Sequence, residues 1–515
     1  MFFRPLYKAF IFGLIIFFAW TSNCELALAK ISLNESNQSI EPYLNQVKED
    51  ITEFTLSNGI HFIVLENHQA PVISFNTYVD VGGANEPEGK TGVAHFLEHL
   101  AFKGTKEIGT INYEKEKQIL EELDKTFQQI KEAKKENNQE QLTELENKFE
   151  QLNNQAHNLV KQNEFGQIIE LEGGVGLNAA TSADSTVYFY NFPSNKLELW
   201  MYLESDRFLN PVFREFYQEK QVILEERKLR TDNSPVGKMV EAFLDSAFTT
   251  HPYKRPVIGY EEDIINLTRE DVQNFFDSYY GGNNITIAIV GDVDPKEVKQ
   301  MANKYFGRFP SSTKPAKLNI VEPKQTKTRE VAIEYPSQPW YLEGYHIPNI
   351  NDPDYVVYDI ISSILSSGRT SRLYQSLVDE QKIALSAAGF NGFPGDKYPN
   401  LMLFYAMLAP ERQLEDLEVA LHEQIEKLKS DLVTEEELQR VKTQARASLL
   451  RSLNSNAGMA KLLAEYQAKT GDWRNLFLSL DKISAVTAQD IQRVAQNTFT
   501  SDNKTVGRLI TKPMN

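Results

Sequence analysis

From Thr110 to Phe165 the chain contains neither glycine nor proline, so this stretch lacks the usual turn and breaker residues and reads as helix throughout. Its apolar positions fall into two heptad series: Leu120, Leu123, Phe127 and Ile130, then Leu142, Leu145, Phe149, Leu152, Ala156 and Leu159. The polar break Lys135-Glu136-Asn137-Asn138 lies between them, where an antiparallel hairpin would turn. The segment 110–165 is therefore a helical hairpin inserted into a domain. Two roles stay open for it, a solvated strut or an arm that docks a partner or gates a site.

The flanking sequence has a different period. Ile51 to Val81 alternates apolar and polar residues around the turn signal Asn58-Gly59, which predicts a β-hairpin. Gly82, Gly83, Pro87 and Gly89 interrupt the strand, and Thr91 to Phe102 takes helical spacing. Strand character returns over Gly176–Phe192, a helical region spans about Ser194–Arg230, and another strand covers Asn284–Val290. Ser311–Glu330, with Lys314-Pro315 and repeated Lys and Thr, has the composition of a linker. Beyond it, the strand Trp340–Ile347, an Asn/Asp/Pro loop and the helix Tyr355–Leu365 repeat the strand, loop and helix order seen near residue 90. At 515 residues the chain exceeds one ordinary hydrophobic core. The expected fold is α+β, with two homologous half-domains over 51–312 and 331–515, each a mostly antiparallel sheet packed with helices, joined by a linker at 313–330.

At the N-terminus, Arg4 and Lys8 precede an apolar run from Ala9 to Trp20, and Ala27-Leu28-Ala29 places small residues at −3 and −1. Residues 1–29 thus read as a secretory signal peptide, followed by a polar lead over 30–50, and imply a periplasmic or secreted protein. An uncleaved segment would anchor the chain to a membrane instead. Cleavage also removes Cys24, the one cysteine, which excludes thiol catalysis and internal disulfides in the mature chain. Acidic residues outnumber basic ones 71 to 54, which disfavours nucleic acid as a partner.

The chemistry concentrates in His95-Phe96-Leu97-Glu98-His99. On a helix, His95 and His99 stand at i and i+4 and project from one face, as two imidazole ligands of a single metal must, and Glu98 shares that face. Zinc takes nitrogen and oxygen donors where thiolates are absent, and a catalytic zinc needs a third protein ligand from elsewhere. Glu98 is then the candidate general base, taking a proton from a water whose pKa zinc lowers to about 7. This H-x-x-E-H order is the inverzincin motif. No H-E-x-x-H and no G-x-S-x-G elbow occur, and Gly173-Gly174-Val175-Gly176 lacks the third glycine of a dinucleotide loop.

HFLEHLAFKGT, then GLNAATSADSTVYFY, then EKQVILEERK together resemble the pitrilysin/insulinase family of zinc peptidases, in its bacterial, processing-peptidase-like branch. Supporting stretches are His251-Pro252-Tyr253, Pro256-Val257-Ile258-Gly259 and ITIAIVGDVDP, so the resemblance spans roughly residues 50 to 505 outside the hairpin. The resemblance implies one zinc ion held by His95, His99 and Glu226, with Glu219, seven residues earlier, in support and Glu215 and Glu225 as competitors for similar roles. Glu226 lies 127 residues after His99, against about 77 usual in the family, and removing about 50 residues of hairpin restores that spacing. The strand Asn178–Tyr188 resembles the edge strand to which an extended peptide adds itself, with Asn178 and Ala179 at the substrate-holding positions, although Ala179 would serve equally as a strand residue turned into the core.

One feature of the family is missing. Active members carry an arginine and a tyrosine seven residues apart in the second half, which stabilise the developing oxyanion. Matching LYQSLVDEQKIALSAAG to that segment puts Val378 and Leu385 there, while Arg369, Arg372 and Tyr374 lie one turn or more upstream. The resemblance thus implies a zinc endopeptidase acting on short unfolded peptides, as the metal-bearing chain of a two-chain enzyme whose related partner brings the arginine–tyrosine pair, or as a homodimer. The alternative is a non-catalytic peptide-binding or scaffold subunit of such a complex.

Overall fold

The computed structural model describes residues 41–512. The signal-peptide segment, Cys24 and the first part of the polar lead lie outside the described residues. A helix, Glu41–Asp50, precedes the first strand.

Alternation of apolar and polar residues builds two sheets. The first has six strands: β1 (Ile51–Thr55), β2 (His61–Glu66), β3 (Val72–Val79), β4 (Val175–Thr181), β5 (Thr186–Pro193) and β6 (Ile285–Gly291). Their order is β1-β2-β6-β3-β5-β4, antiparallel except for the β2–β6 pair. Central β6 is buried along its whole length, as a strand covered on both faces requires, whereas β5 alternates, burying Thr186, Tyr188, Tyr190 and Phe192. The expected β1–β2 hairpin around Asn58-Gly59 is present, with Gly59 at φ 98°. The second sheet has five strands: β7 (Arg329–Tyr335), β8 (Trp340–Ile347), β9 (Ala384–Phe393), β10 (Asn400–Leu408) and β11 (Lys504–Thr511), in the order β7-β11-β8-β10-β9. Only β7–β11 is parallel. Each sheet thus ends on an edge strand, β4 or β9, followed directly by a turn into its neighbour.

Helix α1 (Val93–Leu100) carries the histidine motif and packs beneath β4 and β5. Helices α2 (Tyr113–Lys135) and α3 (Gln139–His157) form the hairpin read from the sequence, turning at Asn137, whose φ is 53°. The chain enters and leaves it at one place: Thr110 bridges Val160, Ile111 N–H donates to Leu159 O at 2.8 Å, and Lys161 N–H to Gly109 O at 3.1 Å. The region read as one helix over 194–230 is two, Leu197–Leu209 and α4 (Phe216–Arg227), because Pro211 and the φ of 54° at Glu215 break the helical path. The hairpin's base packs against α4. Phe127, Phe149 and Tyr217 form an aromatic cluster, Tyr217 Oη donates to Asp124 at 3.1 Å, and Gln218 to Asn153 at 3.3 Å. Its far end is solvated. At its base the hairpin braces α4.

The two halves exchange helices. Helix α5 (Pro235–Ala247), from the first half, lies on β7 and β11 of the second sheet, while the second half supplies α6 (Tyr355–Ser366) to its own sheet and α7 (Asn456–Thr470) to β3 and β6 of the first. A joint core results, in which Met239, Phe243, Leu244 and Phe248 meet Leu342, Leu401, Leu403 and Leu509. The close approach needs glycine: a Cβ on Gly344 would sit 2.8 Å from the Phe243 ring. The linker is a strap. Glu322 accepts the backbone N–H groups of Thr249, Thr250 and His251, and buried Gln325 bonds Lys504 O.

Candidate metal centre

Helix α1 is anchored at its N-terminus by the buried carboxylate of Glu86, which accepts Gly92 N–H and Ala94 N–H, both at 2.9 Å, and so satisfies two donors that a first turn leaves unpaired. Gly92 has φ 87°, and a Cβ there would meet Ile258 O at 2.7 Å, so this entry into the helix admits only glycine. Val93, Ala94, Phe96, Leu97 and Leu100 bury the apolar stripe, which turns His95, Glu98 and His99 toward α4 and β4.

Glu226, near the end of α4, comes to both imidazoles. Its Oε2 lies 3.8 Å from His95 Nε2 and 3.5 Å from His99 Nε2, and one donor atom from each of the three residues falls within 4.8 Å of the others. Ligands of a tetrahedral zinc at about 2.0–2.1 Å stand about 3.3 Å apart, so Glu226 lies within about 0.5 Å of that spacing from each ring, while the set as a whole is wider. His95 is 7% exposed and its Nδ1 has no hydrogen-bond partner among the described residues. A cation at Nε2 leaves that Nδ1 unpaired, so the fit to a metal rests on the three converging nitrogen and oxygen donors. The residues fit one zinc ion. Glu225, the competitor one residue earlier, is 67% exposed and paired with Lys228 outside the site.

The surrounding charges orient the donors. Glu219, on α4, accepts from His99 Nδ1 at 3.2 Å, which leaves Nε2 as the ring atom facing Glu226. Lys103 holds Glu219 Oε1 at 2.5 Å and Glu215 at 3.2 Å. Arg230, one turn beyond Glu226, binds its Oε1 at 2.7 Å, so the two carboxylate oxygens divide between the guanidinium and the histidines. Burial, with the neighbouring charges of His99 and Arg230, pushes His95 down to about 3, so it stays a neutral donor. Burial acts on His99 in the same direction, but the hydrogen bond to Glu219 and the charges of Glu226, Glu219 and Glu98 outweigh it and raise His99. Burial raises Glu98 above the ordinary glutamate value, and its hydrogen bond from Thr181 only partly offsets this. Glu219 ends below its ordinary value: burial would raise it, but His99 and Lys103 prevail.

On the open edge, β4 presents Asn178 to solvent and half-buries Ala179 and Thr181. Asn178 Oδ1 accepts Ala179 N–H at 2.9 Å, so that amide points away from β5 while the Ala179 methyl packs on the first core. The side chain of Ala179 faces the core and its amide faces the edge. In the second half, Val378 is half-buried against its core and Leu385 is half-exposed. Arg372 is committed to Glu437 at 2.6 and 2.9 Å.

Four residues beside the site escaped the sequence reading: Glu86, Lys103, Thr181 and Arg230. Arg230 stands at i+4 from Glu226, a helical pair that spacing alone could have flagged.

Family comparison gives two matches along the chain: Insulinase (Peptidase family M16) over residues 62–126 and 149–261, and Peptidase M16 inactive domain over 266–445. The interval 127–148 that the first match skips lies within the hairpin. The chain is 31% identical over 464 residues to a zinc protease, PqqE, of Helicobacter pylori, covering 88% of this chain and 90% of that protein. It is 26% identical over 461 residues to a probable mitochondrial-processing peptidase subunit beta of Schizosaccharomyces pombe, covering 86% and 87%. Among solved structures, a protease from Helicobacter pylori superposes with a TM-score of 0.76 at 28% identity, over 90% of this chain and 99% of that one. A peptidase M16 inactive domain from Pseudomonas fluorescens shares the fold, with a TM-score of 0.71 at 17% identity over 90% of this chain and 100% of that one.

Proposed function

The chain belongs to the insulinase family, peptidase family M16, and from that premise we propose that it is a zinc-dependent endopeptidase for short unfolded peptides and the metal-bearing member of a pair of related chains. The observation that carries this reading is the approach of Glu226 Oε2 to 3.5 and 3.8 Å from two imidazoles across the 127-residue separation, with Glu98 alongside. His95, His99 and Glu226 hold the ion. When bound, zinc supplies a positive charge that acidifies water and polarises a carbonyl. Glu98 takes the proton of the attacking water, and its raised proton affinity suits a base that must later return that proton to the leaving amine. Glu219 fixes the tautomer of His99, and Arg230 fixes the plane of the Glu226 carboxylate. The outward amide of Ala179 receives the backbone of an extended peptide, which favours unfolded substrates, and Asn178 holds that peptide beside it.

The pairing rests on Val378 and Leu385, neither of which can donate a hydrogen bond where a partner's arginine and tyrosine would. A second copy of this chain would bring the same two apolar residues, which favours a different but related partner. The same absence supports a second reading, a non-catalytic peptide-binding subunit. One experiment separates them: the purified chain is loaded with zinc and assayed on a quenched unfolded peptide, alone and with a related chain that bears the arginine–tyrosine pair. Cleavage only in the mixture is the expected result. Full activity of the chain alone overturns the pairing, and no cleavage in any mixture overturns the peptidase. The Arg4/Lys8, Ala9–Trp20 and Ala27–Ala29 pattern supports export, so the mature chain should begin at Lys30, which N-terminal sequencing checks.

A further inference from the structure

The edge strand β4 carries two functions in one short span. Leu177, Ala179 and Thr181 share a face, the half-buried one, while Asn178 and Ala180 are exposed. Ala179 turns its amide to the open edge, where an added strand would bond. Two residues on, about 6.7 Å along the strand, the hydroxyl of Thr181 donates to Glu98 Oε2 at 2.5 Å. Threonine is β-branched and restricted at χ1, so the strand backbone narrows where that hydroxyl can stand. Glu98 is reached from this one direction by a neutral donor. Its other close influences are the charges of His99, Glu226 and Arg230, which act through space and impose no angle.

We infer that Thr181 is a positioning residue for Glu98, through which the strand that receives the peptide also sets the orientation of the base. The inference rests on the reading of Glu98 as the proton acceptor and adds the device that keeps it in register with the scissile bond. A peptide bonded at Ala179 and a base held from Thr181 share one rigid backbone, so a shift of the strand moves both together. Orientation of a reacting group is worth orders of magnitude in rate, and a strand-borne donor supplies it without placing another charge beside the zinc ligands.

The test uses the full zinc-loaded chain, with its partner where cleavage requires one, and the variants Thr181→Val and Thr181→Ser. Valine keeps the shape and removes the donor. Thr181→Val is expected to lower kcat about 10- to 100-fold with KM changed less than about twofold, and Thr181→Ser to keep kcat within about threefold. A raised KM at unchanged kcat would make Thr181 a substrate contact, and equal damage by serine and valine would make it a packing residue; either overturns the inference. Two measurements need no turnover. The zinc-free chain should bind a labelled unfolded peptide equally well with Thr or Val at 181, by fluorescence anisotropy; weaker binding by the Val variant overturns the inference. In thermal melts, Thr181→Val should lower Tm by about 1–2 °C when Glu98 is present and leave it unchanged in a Glu98→Ala background. Equal shifts in the two backgrounds overturn the coupling even if no peptide is ever cleaved. A coupled shift in a chain that never cleaves sinks the peptidase reading while the contact stands.

Discussion

The two halves place the same elements in the same order and use them differently. In each, a helix lies behind the edge strand of an antiparallel sheet: α1 behind β4 in the first, α6 behind β9 in the second. Aligning Gly104 with Gly368 sets His95, Glu98 and His99 opposite Asp359, Ser362 and Ser363. On the first side, α1 bonds its strand through one contact, Thr181 to Glu98, and the Ala179 amide keeps only the neighbouring Asn178 side chain as partner. On the second, α6 closes onto β9: Ser362 donates to Gly389 O at 2.9 Å, Gly389 N–H donates to Ser366 Oγ, and Asn391 donates to Asp359 at 2.8 Å. The backbone groups of Gly389 are thus spent on the helix, whereas the Ala179 amide is held only by the side chain beside it. The architecture supplies a helix and an edge; a handful of side chains decides whether the helix bonds along that edge or leaves it open.

The comparison breaks most visibly at Glu98. Glu98→Gln should cut peptide cleavage by about 10³-fold at unchanged zinc content, whereas Ser362→Ala at the matching position should leave the rate within about twofold, measured as kcat on a quenched peptide. A Glu98→Gln chain that cleaves normally would put the reactive side elsewhere. Next in size is the metal: Glu226→Ala should weaken zinc binding at least 10²-fold in a chelator competition, while Glu225→Ala changes it less than about twofold.

A sharper probe is pH. Zinc binds neutral imidazole, and His99 stands raised above its ordinary 6.5 in the metal-free chain, whereas His95 is neutral down to about 3. Zinc must therefore displace a proton from His99 at and just above pH 6.5, so affinity falls as pH falls through that raised value, and His95 adds no slope above about pH 3. Titration calorimetry in buffers of different ionisation heat should count close to one proton released. Glu219→Gln removes the main partner that raises His99, so it should reduce that release and weaken zinc binding about tenfold. The smallest effect belongs to the hairpin tip. Lys134 and Glu146 form an exposed pair at 3.5 Å, and replacing either with alanine should change stability by less than about 0.5 kcal/mol, read by urea unfolding.

Much of this was legible in sequence because it rests on local periodicity. The hairpin, the β1–β2 turn, β8 and the helices at residues 93 and 355 follow from spacing and turn residues, and the i, i+4 histidines announce a shared face. The resemblance supplied Glu226, because only long-range packing brings α4 to α1. Thr181 sits in a stretch, TSADST, where nothing in the pattern separates one hydroxyl from the next, and only the fold selects it. The exchange of α5 and α7 was hidden for a related reason: an apolar stripe says that a helix face is covered and never by which sheet. Composition marked 313–330 as a linker, yet a glutamate that gathers three backbone amides pins that segment down.

Because Gly109, Thr110 and Ile111 are stitched to Leu159, Val160 and Lys161, the excursion between them begins and ends at a closed neck. Lengthening a loop whose mouth is already shut costs only about 0.6 kcal/mol per doubling. Separation along the chain is thereby uncoupled from separation in space, and relatives could grow, trim or delete the excursion as lineages diverge without shifting α4 against α1.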